Sequence, residues 1–245
     1  MRILALETAT SACTVAVTHG SSVLAELTLQ VPRAHSTRLM PLVAQAIADS
    51  GFAKTDLDGV AVGIGPGSFT GLRIGLATAK GLAFALGKPC AGVSTLKALA
   101  YGTGAQLGLV VPMLDAKRGE VFAAVYAVGS HDPDTWVELW PPSHVHVDRL
   151  AEEVASLRSG LRHSRQFVTV CGDVAPQYLD RLNLGEAGRL APEGAMLPRG
   201  WAVATLGRTM LQRGQGQEPD ALVPIYLRKS EAETLWEARK SPSTP

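Results

Sequence analysis

Cysteine is scarce in this sequence. Cys13, Cys90 and Cys171 are odd in number and widely spaced, and no Cys-x-x-Cys occurs. That excludes a disulfide framework and suits a reducing compartment, so a cytoplasmic protein is expected. Charge of one sign is lacking too. Lys and Arg number 23 against 22 Asp and Glu, leaving +1, which gives no global electrostatic case for nucleic acid or a membrane surface. Long apolar runs are also missing. Glu7 interrupts the first after a few residues and no later stretch spans a bilayer, so neither a signal-peptide core nor a membrane span is expected. What remains is 46% apolar and 18% charged, the balance of a globular chain long enough for one large domain or two modest ones.

Chemical motifs are as sparse. There is no His-Glu-x-x-His. His144 and His146 would share a strand face, but two ligands do not make a metal site, and a solvated loop explains them as well. Asp115, Lys117 and Glu120 cluster at one turn, where a cross-turn ion pair is the plain reading. His35 precedes a helical pattern and reads as helix-entry polarity. No nucleophile, base and orienting group come together, so the residues give no reason to expect a catalytic site, a metal or a cofactor.

The chain is organised instead around the run from Gly63 to Gly75. Here Gly65-Pro66-Gly67-Ser68 turns a short apolar strand into a long helix over 69–86. Gly65, Gly67 and Ser68 are candidate phosphate-binding residues, because a Gly-rich loop feeding a helix N-terminus presents N–H groups. Against this, a P-loop needs Gly-Lys-Ser/Thr where the chain has Gly67-Ser68-Phe69, and the dinucleotide fingerprint needs a Gly where Ser68 stands. Nor is the run a Gly-x-Ser-x-Gly nucleophile elbow. The alternative is a rigid corner with Ser68 as the helix N-cap. Within the helix, Gly71, Gly75 and Ala79 fall at i, i+4, i+8, a stripe that lets another backbone come close. Leu72 and Leu76 flank it, and Arg73 and Lys80 share a face. A core helix and a partner interface both fit this pattern.

Around that run the sequence reads as a series of elements. An apolar run at 3–6 reads as a buried strand. Alternation at 13–18 and 23–29 predicts a half-buried strand and its antiparallel neighbour. Leu39, Leu42, Val43, Ala46 and Ile47 predict a helix over 36–50, kinked or started late by Pro41 and ended by Gly51. With the strand, corner and helix above and a strand over 88–93, the order is βββαβαβ, that of a ribonuclease-H-like half. The pattern then begins again. Strands are expected at 107–114, 120–128, 136–140 and 167–171, and helices at 147–158 and 201–212, around long loops at 129–136 and 185–200. The expected fold is therefore α/β, a duplicated ribonuclease-H-like fold of the actin, Hsp70 and sugar-kinase superfamily. It would have a first lobe at 1–103, a reduced second lobe at 104–228 whose C-terminal part packs back on the first, and a polar tail at 229–245, disordered at its end.

Several segments together resemble the TsaB (YeaZ) family. They are Ile3-Leu4-Ala5-Leu6-Glu7-Thr8, Arg33-Ala34-His35-Ser36, Gly65-Pro66-Gly67-Ser68-Phe69-Thr70-Gly71-Leu72-Arg73, Asp115-Ala116-Lys117-Arg118-Gly119-Glu120 and Pro224-Ile225-Tyr226-Leu227-Arg228. The resemblance implies a non-catalytic scaffold and activator of TsaD, the enzyme that transfers threonylcarbamoyl to adenosine 37 of tRNA. TsaE would join a larger complex, tRNA would be met only through that complex, and the chain alone would be a homodimer. Where TsaD carries two carboxylates after its first strand, this chain has Ser11 and Ala12. Where TsaD carries two metal-binding histidines, it has Thr95 and Leu99. TsaD's active site is therefore not carried over. The expected partner surface is the pair of first-lobe helices, with Leu39, Val43, Phe69, Leu72, Arg73, Leu76 and Lys80 as contact residues. The alternative is a nucleotide-dependent kinase or ATPase using the cleft between lobes. It is weakened because the Asp-x-Gly-Thr usual in superfamily kinases reads Glu7-Thr8-Ala9-Thr10 here.

Overall fold

The computed structural model describes residues 1–30, 35–105, 107–130, 132–160 and 167–228. Expectations for the tail at 229–245 lie outside these residues. Strands β1 (Arg2–Glu7), β2 (Ala12–His19), β3 (Ser22–Gln30), β4 (Gly59–Gly65) and β5 (Cys90–Ser94) form one sheet in the order β3-β2-β1-β4-β5. Strands β6 (Gly108–Lys117), β7 (Glu120–Val128), β8 (Val137–His146), β9 (Val168–Cys171) and β10 (Gly188–Leu190) form a second, in the order β10-β9-β6-β7-β8. Read from β8, this is the same topology, with an antiparallel meander followed by two parallel strands. The duplicated ribonuclease-H-like fold is thus present in both halves.

The helices show why each sheet is covered on both faces. Helix α1 (His35–Ser50) and α2 (Phe69–Leu86) pack on one face of the first sheet, against Leu4, Leu6, Val15, Val17, Val60 and Val62. Helix α6 (Gly200–Gln212) packs on the other, against Ile3, Ala5 and Ala61. Alternate residues of β1 therefore point to different cores, each apolar. β2, expected to be half-buried, is buried along almost its whole length. The second cover is α6, where Gly200 lies so close to Ala16 that a Cβ there would stand 2.9 Å from the alanine methyl. Helix α3 (Thr95–Gly102), not anticipated from the sequence, leaves the first sheet and packs Leu96, Leu99 and Ala100 on the second. Each sheet thus takes a helix from the other half of the chain.

The second sheet's outer face is covered by α4 (Val147–Gly160), with Val147, Leu150 and Val154 inward. Where the first half has the 18 residues of α2, the second has the four-residue α5 (Ala175–Tyr178). Leu182 and Leu184 fill the space beyond it. The turn at which Asp115, Lys117 and Glu120 cluster is tighter than its sequence suggests. β6 runs through Lys117, which pairs with Glu120 across Arg118 and Gly119. Both turn residues have positive φ, 59° and 79°, the geometry of a two-residue hairpin. Pro41 sits inside α1, which begins at His35, and Gly51 and Gly87 end their helices with positive φ. The three cysteines are buried and free. No helix among the described residues is long and apolar enough to cross a membrane.

Candidate functional site

The end of β1 meets the start of α2 at the floor of a cleft between the lobes. Glycines let the two backbones touch. A Cβ on Gly71 would overlap the Thr8 carbonyl oxygen, one on Gly75 the Thr8 hydroxyl, and one on Gly67 the Ala9 carbonyl. The contact is sealed by hydrogen bonds. Thr8 Oγ1 donates to the Gly71 carbonyl at 2.8 Å, and the Ser68 amide donates to the Ala9 carbonyl at 2.7 Å. Ser68 caps α2 by accepting from the Gly71 amide at 3.2 Å. The stripe of Gly71, Gly75 and Ala79 therefore faces the protein's own first strand and does not form the partner surface expected of it. The phosphate reading of Gly65, Gly67 and Ser68 loses ground for the same reason. The amides of Gly65, Ser68 and Gly71 already donate inside the protein, and Gly67 lies against Ala9.

Four of the expected contact residues also belong to the core. Leu72 is 0% exposed, Leu39 1%, Val43 2% and Leu76 5%. They pack with β1, β2 and β4 in one cluster and cannot anchor a partner. The other three are drawn to a strap formed by residues 217–228. Gln217 exchanges backbone hydrogen bonds with Cys90, Leu222 enters the first core, and the Ile225 amide donates to the Ile64 carbonyl at 2.8 Å. Tyr226 stacks on Phe69 with ring centroids 4.8 Å apart, and the Arg73 guanidinium lies 3.9 Å from the same ring's centroid. Arg73 Nε donates to the Tyr226 hydroxyl at 3.3 Å, and Lys80 Nζ reaches the Asp220 carbonyl at 3.5 Å. Arg228 ends the strap on the second lobe by donating to the Ala116 carbonyl.

The cleft so bounded has a volume of about 1090 Å³. His35, Ser68, Phe69 and Tyr226 line one wall, and Asp115, Lys117 and Asp173 the other. His35 is more than an entry residue, because its Nε2 is 2.9 Å from the Thr10 carbonyl. Lys117 pairs with Asp115 as the turn suggests, while Glu120 turns away to His144 at 2.9 Å. Partial burial pushes Asp115 up, but the Lys117 ammonium and amide outweigh it and hold the carboxyl below its ordinary value. Burial raises Asp173, against its bond from the Asp115 amide. Below the floor, Glu7 is fully buried. Its oxygens accept from the Ala9 amide at 2.7 Å and the Thr95 hydroxyl at 2.9 Å, and burial pushes its pKa up to about 6 despite these bonds. Thr95 is thus an internal hydrogen-bonding residue, and Leu99 is in the core.

His144 and His146 lie on β8, not in a solvated loop, and each meets a carboxylate: Glu120 across the strands, and Asp148 two residues on at 3.2 Å. Among the described residues no cluster of three or more His, Cys, Asp or Glu side chains could hold a metal ion.

The outward faces of α1 and α2 carry a different stripe. Met40, Ala44 and Ala48 on α1, and Ala77, Gly81 and Ala85 on α2, each fall at i, i+4, i+8 and are exposed. Phe84 stands beside them 80% exposed, and Met40 is 49% exposed. A Cβ on Gly81 would meet nothing within 4 Å. The two helices pack against each other on the first core, so these residues form one surface of small side chains with two large apolar ones. The sequence signal was available: Phe84 and Met40 fall outside the inward stripes of their helices.

Two mixed sheets of the same order, flanking a cleft, define a duplicated ribonuclease-H-like α/β fold. A hexokinase of the ROK type from Thermus thermophilus shares the fold at a TM-score of 0.51 and 14% identity, over 86% of this chain and all of that one. Nearer matches narrow the class. YeaZ from Pseudomonas aeruginosa superposes with a TM-score of 0.77 at 28% identity, over 92% of this chain and 99% of that one. The tRNA threonylcarbamoyladenosine biosynthesis protein TsaB of Escherichia coli K12 is 36% identical over 240 residues, 95% of this chain and 96% of that protein. The sequence model of TsaD, tRNA N6-adenosine threonylcarbamoyltransferase, matches residues 23–169. The chain belongs to the TsaB (YeaZ) family, which shares the TsaD-type domain.

Proposed function

We propose that this protein takes part in tRNA threonylcarbamoyladenosine biosynthesis in the cytoplasm as a non-catalytic scaffold and activator of TsaD. TsaE joins the complex, and tRNA is met only through it. The observation that carries this reading is the exposed α1–α2 surface. Small residues, Ala44 and Ala48 on α1 and Ala77, Gly81 and Ala85 on α2, allow close helix approach, and Phe84 and Met40 supply anchors that water otherwise surrounds. A partner with the same kind of lobe would offer its own two helices, and the four would pack across a pseudo-two-fold axis. Without TsaD the surface pairs with its copy, giving a homodimer. Ser11, Ala12, Thr95 and Leu99 at the places of TsaD's carboxylates and histidines support a role outside the chemistry.

The test mixes the purified chain with its TsaD and TsaE and measures both the mass of the product and threonylcarbamoylation of tRNA. Modification only when all components are present is the expected result, with a TsaD–partner heterodimer by light scattering. Robust ATP hydrolysis or transfer by this chain alone would refute the scaffold reading. It would favour the nucleotide-dependent alternative, whose one supporting observation is the cleft itself.

A further inference from the structure

The exposed row on α2 does not begin at Ala77. Arg73 stands four residues before it, so Arg73, Ala77, Gly81 and Ala85 make one line along the outward side of the helix, and all four are exposed. A backbone that comes close along the three small residues arrives at a guanidinium. That guanidinium is already held in place. It lies 3.9 Å from the centroid of the Phe69 ring, one turn earlier on the helix, and its Nε donates to the Tyr226 hydroxyl at 3.3 Å. Tyr226 is itself fixed by stacking on Phe69 and by the bond from the neighbouring Ile225 amide to the Ile64 carbonyl. Among the described residues the two Nη groups have no acceptor and no carboxylate pairs with Arg73. The fold itself gains little from this charge. α2 carries no Asp or Glu in its 18 residues, so no ion pair forms along it. Arg73 is its fifth residue, toward the end where the macrodipole favours negative charge. A planar fork with its ring face and Nε occupied and both Nη groups free matches the two oxygens of one carboxylate. Its rotamers are restricted before any partner arrives, which lowers the ordering cost of the contact.

We propose that Arg73 is the receptor for a carboxylate on the helix that packs along the α2 row, and that this ion pair selects a TsaD-type partner over a second copy of the chain.

This inference rests on the reading of the α1–α2 surface as the interface, and it adds the chemistry of what meets that surface. A copy is poorly equipped to satisfy Arg73. Its α2 brings only cations, Arg73 and Lys80, and like charges set against each other oppose pairing. Its α1 brings one acid, Asp49 in the last turn, which already accepts from the Gln45 side chain at 2.7 Å. A related lobe with an acid on its facing helix meets the fork without either conflict. A nucleic-acid phosphate has the same two-oxygen chemistry. Binding a phosphate backbone takes several cations in succession, however, and the row beyond Arg73 consists of two alanines and a glycine. Those residues fit the close approach of a helix, so the carboxylate belongs to a protein.

The test measures Kd for TsaD by titration calorimetry and self-association by sedimentation, at low and high salt, on the full chain and its Arg73→Gln and Arg73→Lys variants. Arg73 is exposed, so both variants should fold, with circular dichroism as the check. Arg73→Gln should weaken TsaD binding about tenfold or more and flatten its salt dependence. Self-association of the same variant should stay unchanged or tighten, because a like charge has been removed. Arg73→Lys keeps the charge without the planar fork and should recover only part of the lost affinity. Phe84→Glu separates this inference from the reading beneath it. If Phe84→Glu loses TsaD while Arg73→Gln binds it as the wild type does, the surface stands and the ion pair is refuted. If Phe84→Glu binds TsaD normally, the surface itself is refuted. Equal weakening of homodimer and heterodimer by Arg73→Gln would mean that the copy supplies the acid, which overturns the selection. Unchanged TsaD affinity with weaker tRNA binding by the assembled complex would assign Arg73 to a phosphate and overturn the proposal as well.

Discussion

Replacing Phe84 by Glu separates a surface residue from a core residue on the same helix. Phe84 is 80% exposed, so the isolated fold should hardly notice the change, and surface substitutions of this kind stay within about 0.5 kcal/mol. Association should notice it strongly. Burying a phenyl ring against a partner contributes about 2 kcal/mol, roughly thirtyfold in Kd. A carboxylate carried into the same contact is also desolvated without a counter-ion, which should bring the total loss to ~100-fold or more. Leu76→Glu makes the contrast. Leu76 is 5% exposed within the first core, and an unpaired charge there should unfold the lobe. Circular dichroism melting reports the fold, light scattering the self-association, and titration calorimetry the affinity for TsaD. Phe84→Glu should melt like the wild type, run as a monomer and lose TsaD. If it is well folded and still forms both the homodimer and the TsaD complex at wild-type affinity, the α1–α2 surface is not the interface.

Global stability should carry a pH signature from the buried Glu7 carboxyl. The native pKa of Glu7 is about 6 against an ordinary 4.5, so between these values the native state binds the extra proton. Stability then rises as pH falls through that window, by about 2 kcal/mol from this group, and is reduced by that amount above it. Denaturant melts at pH 7.5 and 4.5 should show this rise in the wild type relative to Glu7→Gln; a difference that is flat or of opposite slope contradicts it. Two glycines on α2 should respond in opposite directions to Ala. Gly71→Ala drives a methyl into the Thr8 carbonyl and should cost about 3 kcal/mol or more, whereas Gly81→Ala meets open space and should gain roughly 0.5–1 kcal/mol in thermal unfolding. Glu26→Ala removes the 2.6 Å pair with Arg199 and the 3.2 Å acceptor of the Trp201 amide at the start of α6. A loss of about 1–3 kcal/mol should follow, visible as a lower denaturation midpoint; an unchanged midpoint would mean α6 is held by its apolar face alone.

The amphipathic helices were legible because each exposes one face, so its period shows, and buried strands such as β1 and β4 because they read as short apolar runs. α3 was invisible for the opposite reason. Thr95, Leu96, Ala98, Leu99 and Ala100 are all buried, so eight residues between two sheets show no polar face to set a period. β10 was too short, at three residues, to alternate. The first stripe was open to two readings, core or interface, because α2 carries the same spacing twice, Gly71-Gly75-Ala79 and Ala77-Gly81-Ala85. Periodicity finds both stripes and cannot say which one faces the strands. What decides is the backbone of Thr8 and Ala9 lying beneath the first, a contact between residues some sixty apart in sequence. Glu7 was noticed as a break in an apolar run, but its bond to Thr95, 88 residues away, exists only once β5 is placed beside β4.

The unequal decay of the two halves bears on where function can sit. Both sheets keep the same strand order, so the fold alone would allow a helix pair on either. In the second half α5 has four residues, and Leu182 and Leu184 complete the core in place of a long helix. That half therefore buries its sheet with α4 and a folded loop, and among the described residues it has no second long helix to set beside α4. The first half retains helices of 16 and 18 residues side by side, with small residues outward on both. The four-helix packing proposed above would use this half, where among the described residues two long helices lie side by side. Below the cleft floor, Glu7, Thr95 and Gly65 are joined by hydrogen bonds at the corner from which α2 starts, so the buried acid is satisfied by neighbours that hold the origin of that helix.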